Sequence, residues 1–318
     1  MEIPCNAFRA ALEDEQVQIG LWVGQTDSSA IDAVADKGFD WLLIDGWDAP
    51  NEVREILSQI LAKEVRPLHA VVRPTIGDMP LIKENLDVGA QTLLVPLVET
   101  SEQAVQIVAA TRQSPNRVRG ACGAAARSFR WNRAENYPCK PGAGMCVLVQ
   151  VETRRGLDNL DVIMVVEGVD GVCFVPEDLS AAMGYLGQPD HPEVQRAILD
   201  GIGAVRRAGK APGILTADRA SAQRYIEAGA LFVAVGLDTT LLIREARELA
   251  GIAAVRRAGK AFCLLTVERV LAKRYVEAGA LFAAVCVDTA LLARAARELA
   301  AYFDKHESSG EVKTSSVY

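Results

Sequence analysis

Short, continuously apolar runs alternate along this chain with longer stretches in which apolar positions recur every three or four residues. The runs predict strands at Ile19–Val23, Trp41–Asp45, Leu68–Arg73, Thr92–Val98, Cys146–Glu152, Gly171–Val175, Gly213–Thr216 and Leu231–Leu237. Between them, a segment such as Asn51–Lys63 sets Val53, Ile56, Leu57, Ile60 and Leu61 on one helical face. A strand that is apolar at every position is buried on both faces, as in a parallel sheet covered by helices. Eight such units in succession predict an α/β fold of the (β/α)8 barrel type, with a doubly wound open sheet as the alternative.

A repeat disturbs the count. Residues 201–250 recur as 251–300 with 34 of the 50 positions identical, a tandem duplication. Each copy reads as the end of a helix followed by strand, helix, strand and helix, so the chain offers ten strands to a barrel that closes with eight. The first copy is expected to complete the barrel, because Gly213 and Gly236 keep small positions in its strands where the second copy has Cys263 and Cys286. The expected division is a barrel over 1–250, a surplus βαβα segment over 251–300, and a polar, mobile tail over 301–318.

Composition narrows the function classes. Half the residues are apolar and 24% charged, as in ordinary globular proteins, and the net charge of -7 argues against a nucleic-acid partner. The seven cysteines are odd in number, show no C-x-x-C spacing and lie mostly in apolar runs, which fits a reduced, cytoplasmic protein. The N-terminus has no signal-peptide pattern, and no run approaches the roughly 18 apolar residues of a membrane helix.

In a barrel of this kind the chemistry sits where strands end. The second strand delivers Asp45, Trp47 and Asp48 there, the third Arg73, the fifth Gln150 and Glu152, and the sixth Glu177 and Asp178. Glu152 and Asp178, one βα unit apart, suit a hard divalent cation that leaves positions open for water and substrate oxygens. Arg73 suits an anionic substrate group. The bland readings stand beside these: Asp178 as a helix N-cap, Arg73 as half of a structural ion pair, and the remaining acids as a solvated rim. Of the histidines, His69 starts its strand, His191 reads as a loop or cap residue, and His306 lies near the tail. No G-x-x-x-x-G-K-[ST], G-x-G-x-x-G or G-x-S-x-G motif is present. No lysine ends a strand, since Lys210 and Lys260 precede theirs, which argues against Schiff-base chemistry.

Ile19-Gly20-Leu21-Trp22, Gly38 to Gly46, Val72-Arg73-Pro74, Arg130-Trp131-Asn132-Arg133, Leu148 to Thr153 and Glu167 to Val172 resemble the HpcH/HpaI aldolase family, over about residues 6 to 250. The resemblance implies a class II pyruvate aldolase that cleaves a 4-hydroxy-2-oxo acid, such as 4-hydroxy-2-oxoheptanedioate or alternatively 2-keto-3-deoxy-L-rhamnonate, to pyruvate (or its reduced homologue) and an aldehyde. It implies Mg²⁺, Mn²⁺ or Co²⁺ on Glu152 and Asp178, and Arg73 stabilising charge at the carbonyl oxygen. Gln150 would lie behind the metal ligands, and the backbone near Glu177 and Asp178 would hold the substrate carboxylate. A homo-oligomer, a hexamer with exchanged terminal helices, is implied as well.

This chain departs from the family pattern at the chemistry. Where the family carries Glu-His-Ala-Pro, Trp47-Asp48-Ala49-Pro50 stands here, keeping Asp45 but replacing the imidazole with a carboxylate. Loss of a positioned general acid–base typically lowers a rate by about 10² to 10⁴. Where the family carries Gly-Pro-Ala-Asp-Leu-Ser, this chain has Val175-Pro176-Glu177-Asp178-Leu179-Ser180. Glu177 adds charge where a carboxylate should dock, or else serves as an extra metal ligand. Two readings follow: an aldolase with impaired turnover, and a pseudoenzyme that binds metal or 2-oxo acid.

Overall fold

The computed structural model describes residues 6–64, 68–112, 144–253, 263–265, 282–284 and 287–307. Eight strands, β1 (Gln18–Val23), β2 (Trp41–Asp45), β3 (His69–Arg73), β4 (Thr92–Val95), β5 (Cys146–Val151), β6 (Gly171–Phe174), β7 (Ala211–Leu215) and β8 (Phe232–Leu237), pair in parallel in sequence order. β8 pairs with β1, so the sheet is a closed barrel and the open-sheet alternative falls. β4 is shorter than expected, stopping at Val95. Pro96 lacks a ladder donor, and Leu97 adopts a left-handed φ of 55°.

The helices are α1 (Ala7–Glu13), α2 (Ser28–Val34), α3 (Val53–Lys63), α4 (Met79–Asp87), α5 (Ser101–Thr111), α6 (Arg154–Asp158), α7 (Leu160–Met164), α8 (Pro176–Ala182), α9 (Pro192–Arg207), α10 (Arg219–Glu227) and α11 (Asp238–Ala253). Short polar side chains start many of them. Asp27, Asp78, Thr100, Thr153 and Asp218 each accept a first-turn backbone N–H.

Strand parity sorts the apolar side chains into two layers. In β2, Trp41 and Leu43 point into the barrel with Trp22, Val71, Leu94 and Leu148, while Leu42 and Ile44 face the helices with Val72 and Val149. Large rings fill the lower barrel only because glycines face them. A Cβ on Gly20 would lie 2.2 Å from the Trp41 ring, and one on Gly213 would lie 2.0 Å from Phe232. α1 closes this end, with Phe8 stacked on His69 at 5.2 Å and tilted against Trp41 at 5.7 Å.

β7 and β8 belong to the first repeat. From the second, β9 (Cys263–Leu265) and β10 (Phe282–Ala284) pair in parallel with each other in a separate two-stranded sheet. The second repeat also supplies α12 (Asp288–Glu307), which packs on α2 and α11 and buries Leu292, Ala295, Leu299 and Phe303 in the layer between strands and helices. Arg219 of α10 lies over the Tyr302 ring at 4.9 Å, so α12 reaches from α10 to α2 on the barrel wall. Arg294 Nε donates to the buried carboxylate of Glu245 at 3.1 Å, joining α12 to α11. Residues 301–307, expected in the tail, are instead the last turns of this helix, with Phe303 buried. No helix among the described residues is long and apolar enough to cross a membrane.

Candidate active site

β2 and β3 run in register with Asp45 opposite Arg73, which brings these two side chains together at the strand ends. Arg73 Nε donates to Asp45 Oδ1 at 2.8 Å and Nη2 to Oδ2 at 2.6 Å, a two-pronged pair that is almost wholly buried. Nη2 also donates to Asp48 Oδ2 at 2.5 Å. Burial by itself would lower the Arg73 pKa, but the Asp45 and Asp48 carboxylates outweigh it and hold it above its ordinary value. Asp45 in turn shapes its own loop, since Oδ1 accepts the backbone N–H of Trp47 at 2.9 Å and of Asp48 at 3.3 Å. Trp22, at the inward end of β1, donates its indole N–H to Asp45 Oδ2 at 2.9 Å and lies under the Arg73 guanidinium at 4.6 Å.

β5 and α8 provide the other half. Glu152 is 6% exposed, and both of its oxygens are held. Oε1 accepts the Leu97 backbone N–H at 2.8 Å and Oε2 the Gln150 amide at 2.5 Å. Burial pushes Glu152 up to about 7; the Leu97 amide restrains the rise and the charge of Asp178 adds to it. Asp178 lies in the first turn of α8, whose N-cap is Val175, so the N-cap reading of Asp178 is corrected. Its pKa is raised by burial and by the charge of Asp48, while a hydrogen bond with Glu152 opposes the rise. Asp178 therefore joins the two halves, beside Glu152 and under the influence of Asp48. Glu177 is exposed at the rim; partial desolvation raises its pKa, and the charges of Asp178 and Asp190 add to the rise.

Arg73, Asp45, Asp48, Gln150, Glu152 and Asp178 thus converge on one mouth, with Glu177 at its edge. Among the described residues, no group of three or more His, Cys, Asp or Glu side chains is arranged to hold a metal ion. The pair Glu152 and Asp178 suits a two-carboxylate site, since both carboxylates have raised pKa values and the charge of Arg73 only partly offsets the rise. The buried Gln150 Oε1 has no hydrogen-bond partner among the described residues.

The histidines lie elsewhere. His69 is at the opposite end of the barrel, and burial, aided by the charge of Lys63, lowers its pKa to about 3. His191 is the N-cap of α9, accepting the Glu193 N–H at 3.3 Å, as the loop-or-cap reading expected. Lys210 bonds Val169 O at the lower end, while Lys260, Arg130 to Arg133 and the His306 side chain lie outside the described residues. Two participants escaped the sequence reading. Trp22 was visible by strand parity, as an inward residue near the end of β1, whereas the Leu97 amide left no side-chain signal.

Residues 18–245 match the HpcH/HpaI aldolase/citrate lyase family. A hydroxypyruvate/pyruvate aldolase of Pseudomonas aeruginosa is 53% identical over 250 residues, 79% of this chain and 93% of the relative. A 4-hydroxy-2-oxo-heptane-1,7-dioate aldolase of Escherichia coli is 54% identical over 245 residues, 77% of this chain and 94% of the relative. Among solved structures, an HpcH/HpaI aldolase/citrate lyase family protein of Burkholderia cenocepacia J2315 shares the fold with a TM-score of 0.75 and 36% identity, covering 77% of this chain and 98% of the other.

Proposed function

We propose that this chain, which belongs to the HpcH/HpaI aldolase/citrate lyase family, is a metal-dependent aldolase that cleaves a 4-hydroxy-2-oxo acid to pyruvate and an aldehyde. The observation that carries this reading is the convergence of the buried Arg73–Asp45 pair and the Glu152–Asp178 pair on one barrel mouth. The names of the relatives favour 4-hydroxy-2-oxoheptanedioate or hydroxypyruvate-derived aldols as substrates.

In the retro-aldol direction the 4-hydroxyl loses a proton, the C3–C4 bond breaks, the aldehyde leaves, and the electron pair stays on the three-carbon fragment as the pyruvate enolate, which then takes a proton at C3. Glu152 and Asp178 would hold Mg²⁺, Mn²⁺ or Co²⁺, which supplies an electrophile for the 2-oxo group. Arg73, fixed by Asp45 and stacked on Trp22, presents positive charge where the carbonyl oxygen gains negative charge. Leu97 and Gln150 fix the direction of the Glu152 carboxylate. Asp48 stands where the family pattern has histidine and is the side chain at hand for the hydroxyl proton.

A second reading, a binding scaffold without turnover, is favoured by one observation: Asp48 already occupies Arg73. A coupled assay of pyruvate release from 4-hydroxy-2-oxoheptanedioate, with and without Mn²⁺, separates the two. Metal-dependent release that disappears in Glu152→Ala supports the enzyme. A Mn²⁺-dependent rise in melting temperature without release supports the scaffold, and neither effect sinks the site.

A further inference from the structure

We infer that Asn51 and Gln59 are positioning residues that lock the loops after β1 and β2 into one body and thereby aim the Asp45–Arg73 pair; the inference rests on reading this mouth as the aldolase site. Neither side chain belongs to the group of charged residues at the mouth. Asn51 is 5% exposed and Gln59, on α3 between the core residues Ile56 and Ile60, is 0% exposed.

Asn51 Nδ2 donates to the Asp45 backbone carbonyl at 2.7 Å, closing the loop back onto the residue that grips Arg73. Gln59 Nε2 donates to Asn51 Oδ1 at 2.7 Å and points at Gln25 O and Thr26 O, each 3.3 Å away. Those carbonyls belong to the loop after β1. The same loop donates its Gly24 and Gln25 N–H groups to the buried carboxylate of Asp238 at 3.0 and 3.1 Å. A continuous polar chain therefore runs from the start of α11 through Gln59 and Asn51 to Asp45.

Packing alone does not account for these residues. A leucine would fill the Gln59 site in an otherwise apolar helix face without the desolvation cost of an amide. What the amide adds is direction. The backbone at Asp45 sets where its carboxylate points, and that carboxylate takes both the Arg73 guanidinium and the Trp22 indole N–H.

The test uses full-length protein labelled with 5-fluorotryptophan, with the Trp22 fluorine signal assigned from Trp22→Phe. Asn51→Ala and Gln59→Leu should each shift that signal. Asn85→Ala, which removes an equally buried amide bonded only within α4, should leave it in place at a comparable loss of melting temperature. Asn51→Asp keeps the size and the acceptor for Gln59 but loses the donor to Asp45, so it should behave like Asn51→Ala. In the pyruvate-release assay Asn51→Ala should lower kcat by up to about 10²-fold, and far less when Arg73→Lys is already present. An unmoved Trp22 signal in folded Asn51→Ala, or full additivity with Arg73→Lys, overturns the inference. Absence of release from the wild type defeats the aldolase reading alone, because the fluorine signal still decides the positioning.

Discussion

Arg73 and Asp48 form an ion pair at 2.5 Å across the lip of the barrel, although the arginine side chain is 2% exposed and the aspartate side chain 68%. The buried guanidinium is already committed to Asp45, so Asp48 is a second, solvent-facing claimant on a single positive charge. An incoming carbonyl oxygen has to share Arg73 with it. Asp48→Asn should therefore tighten pyruvate binding in the presence of Mn²⁺ several-fold, read by calorimetry. Unchanged affinity would show that Asp48 does not compete for the ligand.

Restoring the family's pair tests the proton-transfer side of the same loop. Trp47→Glu combined with Asp48→His should raise pyruvate release by about 10² to 10⁴, the usual contribution of a positioned acid–base group. The backbone N–H groups of residues 47 and 48 would still bind Asp45, so the loop is expected to hold. A rate equal to the wild type would move the cause to Val175 and Glu177 at the start of α8.

His69 makes stability depend on pH. Its folded pKa of about 3 lies below the ordinary 6.5, so between these values the unfolded chain binds a proton that the folded chain does not. The contribution is complete above about pH 6.5 and is lost as pH falls toward 3, at roughly 1 kcal/mol per pH unit. Urea midpoints at pH 7 and pH 5 should show the drop, and His69→Gln should flatten it. An equal drop in that variant would place the effect elsewhere.

The second repeat is tested through its helix. Leu299 is 2% exposed and lies where a Cβ on Gly236 would come within 3.2 Å, so Leu299→Ala should destabilise the protein by about 2–5 kcal/mol. A single cooperative urea transition, shifted as a whole, would show that α12 is part of the barrel's fold. An unshifted main transition would show that it is not.

Much of this was legible beforehand, for a physical reason. Continuous apolar runs and period-two parity placed Asp45, Arg73, Gln150 and Glu152 at inward strand ends, because the pleat leaves few options once the barrel is recognised. Asp178 was placed on the right loop but not in its helical turn, since an acidic residue near a helix start reads equally as cap or first turn. The Leu97 amide was invisible because the donor is backbone and its left-handed φ has no glycine to announce it. Asn51 and Gln59 read as loop and helix polarity, because nothing in a one-dimensional pattern separates a buried amide from a solvated one. The two repeats carry the same helical periodicity, so the pattern could not say which copy's helix lies on α2.

That helix has a consequence for the order in which the molecule is made. The strand ring is complete once Leu237 has been synthesised, but the wall beside α2 waits for α12, after most of a second repeat that matches the first at 34 of 50 positions. During synthesis α11 is available to the nascent ring before α12, and both end on the barrel, so maturation of the wall is timed by the repeat rather than by the ring.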